Sequence, residues 1–229
     1  MIEFCDVHKS YGSKKVLDGI NFFFAKNQVT CLIGVNGTGK TTLMKLLMKL
    51  TPLDAGKILI DGKPVTTKDF ERIIFIPDMP TLDDRQSIRQ ALDGVKRYYQ
   101  LYNEERAQEL LRFFHLDESD RIANLSKGNV AKVGLLLGLA VDADYMIMDE
   151  PFSGIDIFTR EEVARVFTDQ LMEDRGVLIS THEIQDIESL VDQAILLDQG
   201  RIIESFSPEE VRDLEGKSIV DVMREVYGR

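Results

Sequence analysis

Long hydrophobic runs are missing from this 229-residue chain. Its longest uncharged apolar stretch, Val133 to Val141, falls far short of the ~20 residues a helix needs to cross a bilayer. No charged-then-apolar segment opens the chain, so a secretory leader is not expected. Cysteine is scarce. Cys5 and Cys31 both lie in apolar, strand-like surroundings, which suits buried free thiols in a reducing compartment better than a disulfide or metal pair. Positive charge is in deficit: 28 Lys and Arg against 39 Asp and Glu leave a net charge of −11. That balance argues against broad attraction to nucleic acid or anionic lipid. Low-complexity stretches and internal repeats are absent too. What remains, 44% apolar and 29% charged residues, is ordinary for a folded chain with a sizeable core, built as one large domain or one domain with a subdomain.

Residues 34–42 read GVNGTGKTT, the form G-x-x-x-x-G-K-[ST], with Gly34, Gly39, Lys40 and Thr41 in the fixed positions. Glycines let a backbone close into a concave loop whose N–H groups face an anion. A lysine adds a compact positive charge that reaches outer phosphates, and the hydroxyl after it suits Mg²⁺. The candidate cradle is therefore Gly34, Val35, Asn36, Gly37, Thr38, Gly39, Lys40, Thr41 and Thr42. Context agrees with pattern. Val29 to Ile33 reads as a short buried strand, and Thr41 to Leu50 as a helix with Leu43, Leu46, Leu47 and Leu50 on one face. A strand, a glycine loop and a helix N-terminus together imply a nucleoside triphosphate site.

Upstream, Ile2, Phe4 and Val7 begin one strand pattern and Val16 to Ala25 forms another. Ser10-Tyr11-Gly12 between them reads as a turn, and Tyr11 is either a plain loop tyrosine or a stacking platform for a flat base. Downstream, residues 52–56 read as a turn, Lys57 to Ile60 as a strand and Asp61-Gly62 as a hairpin signal. Ile73 to Ile76 is a short buried strand ended by Pro77-Asp78-Met79-Pro80. From about Ser87 to Leu116 the chain turns polar and helical, as a helical insertion would. An apolar helix over Val133 to Val141 is expected to be buried. Further elements are a helix over Thr159 to Met172, a strand over Val177 to Ser180, and a hairpin turned at Gln199-Gly200. Ser207-Pro208-Glu209-Glu210 and Ser218 with Asp221 are two capped helix starts. The second presents Ile219, Val222, Met223 and Val226 on one face, expected to pack on the domain.

Tyr145 to Met148 is an apolar strand ending in Asp149-Glu150. Beside a phosphate loop, such a pair suits Mg-nucleotide chemistry: Asp149 for the metal, Glu150 to polarise a water. His182 gains interest from its place just past a strand, since ligands gather at the carboxyl ends of parallel strands.

Taken together, Tyr11, residues 34–42, Leu125-Ser126-Lys127-Gly128-Asn129, Met148-Asp149-Glu150-Pro151, Ser153-Gly154-Ile155-Asp156 and Ser180-Thr181-His182-Glu183 resemble the ATP-binding subunits of ABC transporters over nearly the whole chain. The resemblance implies an α/β fold: a P-loop NTPase (RecA-like) core with an N-terminal antiparallel β subdomain and a helical subdomain insertion. It implies one ATP-binding domain over residues 1–229, with the helical subdomain at about 82–140 and C-terminal helices at 206–229 packing on the core. Tyr11 would stack on adenine, and Lys40 and the loop backbone would hold the phosphates. Thr41 and Asp149 would serve Mg²⁺, Glu150 would act as general base, and His182 would contact the γ-phosphate. Ser126 and the Gly128 amide would clamp ATP held by a second copy or close relative, with Asp156 at that interface. The implied protein is a cytoplasmic ATPase, peripheral on the inner membrane face, that drives a separate integral membrane subunit, with export favoured over import and no nucleic acid partner.

Two departures stand out. Asp78 occupies a position where the family usually has glutamine, placing a shorter, charged ligand near Mg²⁺. The signature reads LSKGN, with Lys127 for the first glycine and Asn129 for glutamine, while Ser126 and Gly128 remain. Other readings are an ATP-dependent dimerising switch with little turnover and a non-transport ABC ATPase.

Overall fold

A computed structural model of the protein describes residues 1–78, 80–153, 160, 174–182, 184–185 and 187–228. The Thr159–Met172 helix (Arg160 aside), Gly154-Ile155-Asp156, Glu183 and Met79 lie outside the described residues.

The N-terminal strands β1 (Ile2–Tyr11) and β2 (Lys14–Phe24) pair antiparallel, and β1 also pairs with β4 (Ala55–Ile60), which turns at Asp61-Gly62 into the short β5 (Lys63–Pro64). This gives a four-stranded sheet of order β2-β1-β4-β5. Strands β3 (Gln28–Ile33), β6 (Ile73–Ile76), β7 (Tyr145–Asp149), β8 (Gly176–Thr181) and β9 (Gln193–Asp198) run parallel. Antiparallel β10 (Arg201–Phe206) closes that sheet, whose order is β10-β9-β3-β8-β7-β6 among the described residues.

The parallel strands are apolar on both faces because both faces are covered, so their residues alternate between two cores. Cys31, Ile33, Met146, Met148, Val177, Ile179 and Leu196 face one core, shared with helices α2 (Ile88–Tyr98), α3 (Glu104–Phe113) and α4 (Lys127–Leu139). Leu32, Ile147, Leu178, Ile195 and Leu197 face the other, filled by the antiparallel sheet and by α1 (Lys40–Leu47). Both cysteines are free thiols, Cys31 buried and Cys5 half-buried. Burial pushes the Cys31 thiol well above its ordinary value, so it is an inert packing group. Close packing of α4 on β6 needs Gly138: a Cβ there would sit 2.4 Å from Ile76 Cδ1.

Several element ends differ from the sequence reading. Helix α1 stops at Leu47, and Leu50 lies outside it, 64% exposed, instead of extending the apolar face. The cause is a Schellman-type end: Lys49 adopts φ 52, and the amides of Lys49 and Leu50 return to the carbonyls of Leu46 and Lys45. Lysine stands where glycine usually marks such a stop, so composition did not announce it. Helix α4 begins at Lys127, six residues before Val133, because the Ser126 side chain accepts from the Asn129 amide and caps it. Tyr11 is the last residue of β1 and pairs with Lys14, so the turn is Gly12-Ser13. Strand β4 starts at Ala55 and takes in Gly56, whose φ of 89 lets its backbone pass the β1 irregularity at Asp6. Helices α5 (Pro208–Glu215) and α6 (Ile219–Tyr227) start at Ser207 and Ser218, as the caps predicted. On α6, Ile219 is buried and Val222 and Met223 pack on the core, whereas Val226 is 37% exposed.

Candidate nucleotide-binding site

Residues 34–39 leave the carboxyl end of β3 and return as α1. Gly37 (φ 86) and Gly39 (φ 111) take left-handed backbone that other residues adopt at a cost. Gly39 has a second requirement, since a Cβ there would lie 2.5 Å from Leu17 Cδ2 on β2. The loop is thus wedged against the antiparallel sheet. Thr38, buried, braces it by donating from Oγ1 to the Val35 carbonyl at 3.0 Å. No side chain caps α1, and no acidic residue occupies its first turn. Its leading amides and its dipole are left for an anion.

Lys40 crosses the loop under almost complete burial. Its Nζ donates to the Gly34 carbonyl at 2.6 Å and forms an ion pair with Glu150 Oε1 at 3.2 Å. The second contact lacks hydrogen-bond geometry, so Glu150 Oε1 is buried and accepts no hydrogen bond. Glu150 Oε2 meets His182 Nδ1 at 2.8 Å and accepts from the His182 amide at 3.3 Å. Glu150 itself sits at φ 47, an uncommon conformation for a glutamate, held by its amide donating to the Ser180 carbonyl at 2.9 Å. Asp149 is buried and accepts from Ser180 Oγ at 2.5 Å. Pairing of β7 with β8 sets Asp149 opposite Ser180, which places the acidic pair and His182 at one end of the sheet. From sequence Ser180 stands only as part of the Ser180-to-Glu183 stretch, with no role of its own. The only signal was a hydroxyl pair, Ser180-Thr181, ending an otherwise apolar strand.

Asp78 follows β6, the neighbour of β7, and lies within electrostatic reach of Asp149, Glu150 and His182. Desolvation raises its carboxyl above the ordinary range; the Asp149 and Glu150 charges add to this, and a hydrogen bond from Ser153 opposes it. Thr41, the first residue after Lys40, shares with Asp78 and Asp149 the lining of an open groove of about 770 Å³. Tyr11 is half exposed at the tip of the β1–β2 hairpin, its hydroxyl 3.5 Å from Thr51 Oγ1 and Lys9 Nζ 5.2 Å from its ring centre. Ser126 and Gly128 are at the start of α4, whose packing partners are α2, α3 and β6. The structure therefore gathers Gly34, Lys40, Glu150 and His182 through direct contacts, and Thr41, Asp149 and Asp78 around one groove. No described contact links Ser126 or Gly128 to that group.

A strand–glycine loop–helix at the carboxyl end of a parallel sheet, with an acidic pair on a nearby strand, defines a P-loop nucleotide-binding fold. Residues 17–153 match the family described as ABC transporter, and the chain belongs to that family. It is 28% identical over 216 residues to the ABC transporter ATP-binding protein YtrB of Bacillus subtilis (strain 168), covering 93% of this chain and 74% of that protein. It is 30% identical over 235 residues to the Nod factor export ATP-binding protein I of Burkholderia lata, covering 99% and 76%. A solved structure described as the ATP binding subunit of an ABC transporter superposes with a TM-score of 0.89 at 27% identity, covering 99% of both chains. Among the described residues, no helix is long and apolar enough to cross a membrane.

Proposed function

We propose that the protein binds and hydrolyses ATP as one of two subunits that close head-to-tail around two nucleotides and so drive a separate membrane-spanning partner in export. The observation that carries this is the Gly34–Lys40–Glu150–His182 chain of contacts, running from buried Lys40 out to exposed His182 at the mouth of the phosphate loop. Lys40 and the backbone of residues 34–42 hold the phosphates, with Tyr11 stacking on the base. Glu150 Oε1, buried and without a hydrogen bond, takes the proton of the attacking water. His182, already bound to Oε2, holds the glutamate in place and contacts the γ-phosphate. The hydroxyl of Thr41 and the carboxylates of Asp149 and Asp78 form an all-oxygen donor set of the kind Mg²⁺ takes. That ion would neutralise phosphate charge.

Ser126 and the Gly128 amide stand at the capped N-terminus of α4, suited to gripping a γ-phosphate of the opposite subunit. Lys127 at the start of that helix adds positive charge to the grip. Asp156 belongs to the same interface in this reading. A site completed by a second chain turns hydrolysis into separation, and that is the mechanical stroke. The helical segment at 82–140 acts as the arm that carries this signature, and 206–229 stays with the core. The groove that Thr41, Asp78 and Asp149 line also has an apolar wall of Pro80, Leu82, Val95, Tyr99 and Leu137, and this wall is the place for the membrane partner, which would hold the protein at the cytoplasmic membrane face. The test is the mass of the Glu150→Gln form in MgATP. A stable dimer, alone or beside its membrane neighbour, supports the reading; a monomer in both settings overturns it.

Asp78→Gln is expected to keep or raise ATPase activity while changing its Mg²⁺ dependence. The amide removes a charge that the structure already disfavours next to Asp149 and Glu150. Identical Mg²⁺ titrations for mutant and wild type would place Asp78 outside the metal's surroundings.

A further inference from the structure

We propose that Tyr227 is a positioning residue for the phosphate loop, and that α6 is a strut joining this loop to the segment after His182. The proposal rests on the ATP-binding reading above. The Tyr227 hydroxyl donates to the Leu197 carbonyl at 3.0 Å, with the Ile33 carbonyl as a second acceptor at 3.3 Å. Ile33 ends β3 and directly precedes Gly34. The Leu197 carbonyl presses on the same point, because a Cβ on Gly34 would lie 2.7 Å from it. The phenol, the two carbonyls and Gly34 are therefore one packed cluster, and the Gly34 carbonyl is the one that Lys40 Nζ holds. A step of one residue separates Ile33, the tyrosine's second acceptor, from Gly34, the lysine's.

The opposite end of α6 is tied as firmly. The Ile219 amide donates to Glu188 Oε1 at 2.7 Å, beside the Ser218 cap. Glu188 opens the short turn Glu188–Leu190, six residues beyond His182. Between the two anchors, Ile219, Val222 and Met223 pack on the sheet's core and keep the helix in register. Burial, and then the Asp198 charge, push the Tyr227 phenol up to about 12, so it remains a donor through the physiological range. A shift of the loop on binding phosphate must then strain the bond to Tyr227 or move α6, and with α6 the segment that follows His182.

Tyr227→Phe removes one oxygen and leaves the ring to pack. It is expected to weaken ATP binding about five-fold, the worth of one ordinary hydrogen bond, as read by titration with ATP. Val222→Ala loosens the same helix without touching the hydroxyl and serves as the comparator. It is expected to lower the melting temperature by about 2–4 °C, at least as much as Tyr227→Phe does, with ATP affinity unchanged. Equal affinity of Tyr227→Phe and wild type would overturn the proposal. So would parallel losses of affinity and melting temperature in both variants, which would make the helix a structural support only. Failure of the wild-type chain to bind ATP is a separate result; it would remove the ATP-binding reading and this proposal together.

Discussion

Replacing Glu150 by glutamine is expected to lower the rate of ATP hydrolysis about 10²–10⁴-fold while ATP remains bound. The two side chains have the same shape, so the contacts that hold Glu150 survive: its amide on Ser180 and an oxygen on the His182 amide. What disappears is a basic oxygen. Oε1 is buried, faces Lys40 and accepts no hydrogen bond, which leaves it to take a proton from water. Glutamine also removes a negative charge close to where phosphates would lie, so affinity for ATP should hold or rise. Phosphate release in a single turnover, measured beside equilibrium ATP binding, separates the two effects. Hydrolysis that is already slow and falls no further in the mutant would favour an ATP-dependent dimerising switch.

Lys40→Met is expected to weaken ATP binding about 100-fold. Nζ now spends its charge on the Gly34 carbonyl at 2.6 Å and on Glu150 at 3.2 Å, and phosphate oxygens would replace these partners. Two charge-assisted bonds at roughly 1.5 kcal/mol each sum to about 3 kcal/mol, or two decades of affinity. Methionine fills the stem of the lysine but leaves Glu150 buried opposite an apolar group. The single mutant should therefore melt below wild type, and Lys40→Met combined with Glu150→Gln should recover much of that loss. Thermal melts of the four proteins, with ATP titrations on each, check both statements. Unchanged affinity in Lys40→Met would remove the loop's lysine from phosphate binding.

The phosphate loop, the acidic pair and the capped starts of α5 and α6 were legible because each is a local arrangement. Glycine at positive φ, a hydroxyl at a helix N-cap and charge after an apolar strand are set by neighbours in sequence. The doubly covered parallel strands were legible for a related reason, since burial on both faces leaves unbroken apolar runs such as residues 145–148 and 177–179. Other features depended on which strands became neighbours. Ser180 orients Asp149 only because β7 pairs with β8 in that register, and Asp78 meets the acidic pair only because β6 lies beside β7. Tyr227 reaches the base of the loop because α6 packs across the ends of β3 and β9, with 194 residues of chain between the phenol and Ile33. Even the end of α1 required the fold, where Lys49 takes a left-handed turn without the glycine that usually signals one. Local chemistry is written along the chain; contacts between distant strands and helices exist only once the cores on either side of the sheet have formed.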